Sequence, residues 1–340
     1  MASPTLIWGA GAIGGTLGAY WIRAGKDVLL VDTASDHVDA INRDGLEITG
    51  PVDAFKVKAR ALLPERLSGT FARVVLAVKA HHTEIATAAL SPHLDANGFV
   101  LSAQNGLNEL TIARIVGEKR TMGCFVNFGA DWHAPGKILY GNRGAVVVGE
   151  IDGSRTARAR EMHDLLRVFE PDAILTDDIW GYLWGKLGYG ALLFATALTN
   201  ESMSDALASP RHRDAFAALG REVMQVARAK GVTPRGFNGF EPAAFQPGAP
   251  RAALDASMDA MVAWNRKTAK THSGIWRDLA VRKRKTEVDA KIAIVATIGR
   301  EVGIDTPVLR RLVALIHEIE DGRRPQDWAT LDALAETVPA

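Results

Sequence analysis

Residues 5–32 read TLIWGAGAIGGTLGAYWIRAGKDVLLVD, and this stretch decides the fold. Thr5-Leu6-Ile7-Trp8 is a short apolar run, GAGAIGG occupies 9–15, residues 13–24 suit a helix, and Gly25 supplies a C-terminal stop. Val28-Leu29-Leu30-Val31 is a second apolar run, closed by Asp32. Strand, glycine turn, helix, strand and acid make one βαβ unit. Strands this continuously apolar predict a parallel sheet covered on both faces. Gly9 permits the tight turn out of the strand, Gly11 lets backbone approach a pyrophosphate, and Gly14 lets the helix pack closely on the strand. The backbone of Gly9, Ala10, Gly11, Ala12, Ile13 and Gly14 then offers helix N–H groups and a partial positive charge to phosphates. Asp32, 23 residues after Gly9, stands where a carboxylate accepts hydrogen bonds from an adenosine ribose. It also repels a 2′-phosphate, and Thr33-Ala34 follow with no arginine alongside. NAD(H) is therefore the favoured dinucleotide and NADP(H) the second.

Further apolar runs follow at 74–78, 99–102 and 146–148. The first leads into Lys79 and the second into Gln104-Asn105-Gly106. Ligands of such sheets bind beyond the carboxyl ends of the strands, so both polar clusters lie at the correct edge. Lys79 suits a phosphate or ribose, and Asn105 suits the nicotinamide side or a substrate; each also reads as a loop cap. His81-His82 read as polar surface, because adjacent histidines do not face one site and no HExxH or CxxC spacing occurs. No metal is expected.

Strand-like runs stop near 171–178, which divides the chain into a dinucleotide-binding unit, 1–175, and a helical unit, 176–340. Residues 179–200 read IWGYLWGKLGYGALLFATALTN, with Lys186 as the one charge. Burying an ammonium is costly, so a lysine in such a wall has either a catalytic use or a stem that packs while its head reaches water. Residues 231–250, rich in Gly, Pro and Phe, read as a long loop, a candidate lid or dimer contact. The run Arg282-Lys283-Arg284-Lys285 reads as a solvated helix face or an anionic-cofactor patch rather than a nucleic-acid site. Val288, Ile292, Val295, Ile298 and Val302 recur at helical spacing up to a stop at Gly303. Asp305-Thr306-Pro307 opens another helix, with Thr306 as cap.

Composition agrees with a two-domain globular chain: 340 residues, 47% hydrophobic and 23% charged. Forty basic against 39 acidic residues give no bulk attraction to nucleic acid or an acidic membrane. The most apolar stretch, 187–199, carries no charge and is too short to span a bilayer. One cysteine, Cys124, excludes an internal disulfide and fits a cytoplasmic protein.

GAGAIGG at 9–15, AVKA with Lys79, QNG with Asn105, WGKL with Lys186, SGIWRD…RKTEVD at 273–289 and GIDTPV at 303–308 stand in one order over about 300 residues. The sequence thereby resembles the ketopantoate reductases (2-dehydropantoate 2-reductases). The resemblance implies a Rossmann domain, a helical C-terminal domain and an active site in the cleft between them. It implies hydride transfer from a nicotinamide to the keto carbon of a 2-oxo acid. By it, Lys186 is the general acid, Asn105 sits near nicotinamide and substrate, and Lys79 holds the cofactor. Glu287 contacts the cofactor or orients the lysine, and Ser273 binds the substrate carboxylate. An ammonium on an apolar wall suits the first role, since it stabilises and protonates a developing alkoxide. Read alone, Glu287 is a surface pair with Lys283 or Lys291, four residues either side.

Two positions depart from the family pattern. Asparagines are common one and two turns after the lysine, where Gly190 and Phe194 stand, which points to a different or more apolar substrate. Users of NADPH commonly have arginine where Thr33 stands. Three alternatives follow: a dehydrogenase oxidising another 2-hydroxy acid, a nucleotide-binding protein without catalysis, and a 3-hydroxyacid dehydrogenase. An SGG-type loop is missing for the last, and Lys186 argues against the second.

Overall fold

The computed structural model describes residues 3–268 and 270–338. The chain forms two compact units, Met1–Ile179 and Trp180–Ala340, dividing four residues beyond the boundary drawn from sequence. The architecture is the expected one, a Rossmann-type sheet followed by a helical unit.

The first unit is built on an eight-stranded sheet. Its strands run, edge to edge, Ile174–Leu175, Val146–Glu150, Thr121–Val126, Leu94–Ser102, Phe71–Leu76, Thr5–Trp8, Val28–Val31 and Arg60–Leu62. All neighbours pair in parallel except Val146–Glu150 against Thr121–Val126. Side-chain alternation divides the core. Ile7, Leu30, Val75 and Leu101 pack on one face with Leu17 and Trp21 of helix Ala12–Arg23 and with Met162 of helix Ala157–Phe169. Leu6, Trp8, Val74 and Val100 pack on the other with Leu90 of helix Thr83–Leu90 and Ile112 of helix Asn108–Val116. The chain leaves Thr5–Trp8 in one direction and returns on its other side at Phe71–Leu76, so the loops after these two strands diverge at a switch point.

A second sheet was not foreseen. Phe55–Val57, Leu46–Thr49, Lys137–Asn142 and Gly129–Ala134 lie in that order, with a parallel pairing of Lys137–Asn142 on Leu46–Thr49 between antiparallel ones. Ile48, Ile138 and Tyr140 share the core of helix Ala12–Arg23. Tyr20 of that helix sits edge-on to Phe55 and Phe169, with ring centroids 5.1 and 4.9 Å away.

The second unit is helical. Residues 231–250 form the long loop expected, anchored by buried Phe240 and Phe245, with Phe245 against Gly220 of helix Arg213–Ala229. Two expectations change within this unit. Residues 282–285 form an exposed loop rather than a helix face, with Lys283 in the left-handed region at φ 49° and Arg282 and Arg284 paired to Asp278. Helix Pro307–Glu320 takes no bond from the Thr306 side chain. The Glu222 carboxylate caps it instead, accepting the Val308 and Leu309 amides at 2.9 and 2.8 Å, because an ionisable acceptor outcompetes a hydroxyl for two adjacent N–H groups. No helix among the described residues is long and apolar enough to cross a membrane.

Candidate active site

In the first unit the glycine turn has the form its spacing predicts. Gly9 has φ +100°, and a Cβ there would lie 2.8 Å from the Val78 amide nitrogen, so the loops after the two central strands meet at this glycine. A Cβ on Gly14 would lie 2.1 Å from the Gly9 carbonyl oxygen, which makes the helix-to-turn contact possible only for glycine. Gly11 differs: a Cβ would meet nothing within 4 Å. The room there lies over the start of a 12-residue helix that has no side-chain cap and no acid in its first turn. Its leading amides are accordingly available to an anion.

Asp32 is half-buried, and its Oδ1 accepts the Ala34 amide at 3.0 Å; Thr33 is exposed. Lys79 is exposed and opens the short turn Ala80–His82. The His81 and His82 rings are exposed, 4.0 Å apart, and no metal-binding cluster occurs among the described residues. Gln104 holds the two loops together: its Nε2 donates to the Val78 carbonyl at 2.9 Å and to Thr83 Oγ1 at 2.8 Å. The neighbouring Asn105 has a shielded Oδ1 with no hydrogen-bond partner. A buried acceptor without a donor is costly, so an incoming N–H suits it. Open space at Gly11, the Asp32 carboxylate and the unsatisfied Asn105 oxygen together fit a nicotinamide dinucleotide.

His37 carried no sequence signal. Its ring is 1% exposed, and Nδ1 accepts the Gly136 amide at 2.9 Å and the Trp132 indole N–H at 3.2 Å. The proton therefore sits on Nε2, which donates to the Ala10 carbonyl at 3.0 Å. The second sheet thus anchors the glycine turn through one imidazole. Glu109 was also missed. It is 0% exposed in the first turn of Asn108–Val116, both its oxygens lack partners, and burial pushes its carboxyl up to about 8.

In the second unit, helix Ile179–Thr196 carries Lys186. Past its first turn every residue is buried except Tyr182, Lys186, Gly190 and Leu193, which recur at helical spacing and make one half-exposed stripe. Phe194 is not part of it: at 2% exposure it packs into the core, and Leu193 takes the position two turns on. The helix is held by close contacts at two glycines. A Cβ on Gly185 would lie 1.9 Å from the Arg235 carbonyl oxygen, and one on Gly188 would lie 2.6 Å from Met224 and Phe240.

Ser273 and Glu287 lie in the same unit. Ser273 is 3% exposed, and its Oγ accepts the Trp276 amide at 3.1 Å as a helix cap. Glu287 is 9% exposed and pairs with Lys291 at 2.8 Å, a part-buried pair rather than a surface one. Beside it, Thr286 donates its amide and hydroxyl to Glu320, both at 2.7 Å. Residues Arg277–Val281 and Asp289–Ala293 on either side are π-helical, a widened geometry frequent at functional sites.

Known proteins place this arrangement. The chain matches the model "Ketopantoate reductase PanE/ApbA" over residues 5–153 and "Ketopantoate reductase PanE/ApbA C terminal" over 178–320. A 2-dehydropantoate 2-reductase of Archaeoglobus fulgidus is 29% identical, over 93% of this chain and 97% of its own. The structure of a PanE/ApbA family ketopantoate reductase from Ralstonia eutropha superposes with a TM-score of 0.79 at 25% identity, covering 94% of this chain and 99% of that one. A D-mandelate dehydrogenase solved with NADH and anilino(oxo)acetate has the same fold, at a TM-score of 0.81, 20% identity, and 94% and 99% coverage. With both of its units matched by the family's two models, this chain belongs to the ketopantoate reductase family of NAD(P)-dependent oxidoreductases.

Proposed function

We propose that the chain reduces the keto group of a 2-oxo acid to a 2-hydroxy acid, as a 2-dehydropantoate 2-reductase does, with Lys186 as general acid. The observation that carries this reading is the placement of Lys186: a cation on the single half-exposed stripe of an otherwise buried helix, in a chain of this family. When bound, a dihydronicotinamide supplies the hydride. The residues of the chain do the remaining work. The amides after Gly11 hold the pyrophosphate, Asp32 takes the ribose hydroxyls, and Lys79 adds a cation on the cofactor side. Asn105 accepts from the carboxamide with Oδ1 or donates to the substrate with Nδ2. Ser273 helps to hold the substrate carboxylate. As the carbonyl π pair moves onto oxygen, the Lys186 ammonium stabilises the charge and gives up a proton to form the hydroxyl. Glu287 orients the lysine or meets the cofactor.

NADH is the preferred donor in this reading, supported by Asp32 with exposed Thr33 beside it. The reading also takes the protein as a cytoplasmic homodimer. The test is a panel of 2-oxo acids, 2-dehydropantoate included, assayed with NADH and with NADPH and run in both directions. Lys186→Ala is expected to lower kcat by about 100-fold while NADH still binds, the usual scale for loss of one general acid. Full activity in that variant sinks the assignment.

A further inference from the structure

Helix Ile179–Thr196 contains glycines at 181, 185, 188 and 190. Gly181 is buried, and its carbonyl receives the Arg235 amide at 2.8 Å. Gly185 and Gly188 have a packing reason, since backbone and side chains press where their Cβ atoms would be. Gly190 has none: a Cβ there meets no atom within 4 Å, and the residue has no left-handed φ that glycine alone would adopt. A glycine inside a helix destabilises it relative to alanine, so neither packing nor backbone conformation accounts for this one. What Gly190 does provide is room, one turn beyond Lys186 on the same half-exposed stripe. On that stripe the next side chain is Leu193, and Phe194 is turned into the core. Past Lys186 the stripe therefore presents open space and an aliphatic surface, with no hydrogen-bonding side chain of this helix.

We propose that Gly190 is the specificity-determining residue of the site and that the space over it receives the C3 substituent of the substrate, selecting 2-oxo acids with a branched aliphatic or aromatic apolar side chain. A carbonyl that takes its proton from Lys186 has its side chain within one helical turn of the lysine, where Gly190 leaves the volume and Leu193 the apolar contact. A hydroxylated side chain lying over Gly190 and Leu193 finds no partner from the stripe past Lys186 and loses the hydrogen bonds it had in water.

The inference rests on the proposed 2-oxo acid reduction and deepens it, so the experiment separates the two. Pyruvate, 3-methyl-2-oxobutanoate, 3,3-dimethyl-2-oxobutanoate and phenylglyoxylate form a series of rising bulk without hydroxyls. kcat/KM with NADH is measured for wild type, Gly190→Ala and Gly190→Leu, with thermal midpoints to establish folding. In wild type kcat/KM is expected to rise along the series. The phenylglyoxylate-to-pyruvate ratio is expected to fall by a few-fold in Gly190→Ala and by roughly 30-fold or more in Gly190→Leu, the range a hydrophobic pocket discriminates by size. Gly190→Ala melts at or above the wild-type temperature, so its ratio is readable even should Gly190→Leu fail to fold. A ratio that stays constant across the variants, or a wild type that favours pyruvate, overturns this inference and leaves 2-oxo acid reduction standing. A wild type that reduces none of these acids, nor 2-dehydropantoate, overturns both.

Discussion

Asp32 accepts the Ala34 amide with one carboxylate oxygen at 3.0 Å, which fixes the side chain at the end of the second strand. In the proposed function that charge attracts the ribose hydroxyls and opposes a 2′-phosphate. Replacing it with alanine removes both effects. The kcat/KM ratio of NADH to NADPH is expected to fall by roughly tenfold in Asp32→Ala, the equivalent of about 1.4 kcal/mol; an unaltered ratio contradicts the role. Lys186 and Gly190 are the matching pair in the second unit, one supplying charge and the other space. At Asp32 and Lys186 the residue type alone suggested chemistry, and at Gly190 the family comparison did.

At the scale of elements, the glycine turn is not a free loop. The Ala10 carbonyl is tied through His37 to the Gly136 amide and the Trp132 indole, and so to the second sheet. His37→Ala leaves those two donors and one acceptor without their partner, and the turn loses its anchor. The KM for NADH is expected to rise by about tenfold with kcat little changed, a cost near that of one or two buried hydrogen bonds. His37→Gln, which can keep a donor at the Nε2 position, recovers part of the affinity. His37→Asn, which reaches only the acceptor side, does not. Equal loss in KM and kcat, with no rescue by glutamine, contradicts a positioning role. Helix Pro307–Glu320 shows the same dependence on a distant group, because Glu222 from another helix caps it.

Stability belongs to the whole molecule, and Glu109 gives it a pH dependence. Burial pushes this carboxyl up to about 8, from an ordinary value of 4.5. Between those values the folded protein holds a proton that the unfolded chain has released. The native state binds more protons there, so stability is greatest on the acid side and falls as pH rises from about 4.5 to 8. The effect is on the order of a few kcal/mol at most. Glu109→Gln keeps the shape without the charge. Its stability relative to wild type, from urea unfolding, is expected to increase between pH 5 and pH 8.5, and a constant difference contradicts the buried neutral acid. Burial of Glu222 acts in the same direction, up to about 7, against the two amides that favour its charge; the comparison with Glu109→Gln cancels that shared term.

The sequence by itself determined what depends on neighbours along the chain. The first βαβ unit follows from residues 5–32, because apolar runs, glycine spacing and a closing acid are local signals. Lys186 stood out for the same reason, as one charge within an apolar helix. Tertiary structure decided whatever depends on a partner far away in the chain. The strand Lys137–Asn142 pairs with Leu46–Thr49 across about 90 residues, and short half-polar strands of this kind have no strong period of their own. Thr306 reads as a cap until Glu222, 86 residues before Val308, arrives with a stronger acceptor. Nothing near His37 marks it, since its partners come from residues 10, 132 and 136. Gly190 is marked in sequence only as a departure from the family pattern; packing, which fills the space at Gly185 and Gly188 and leaves it open here, separates a glycine that holds the fold from one that leaves room. Hydrogen-bond partners and filled volume are non-local quantities, and no reading of adjacent residues supplies them.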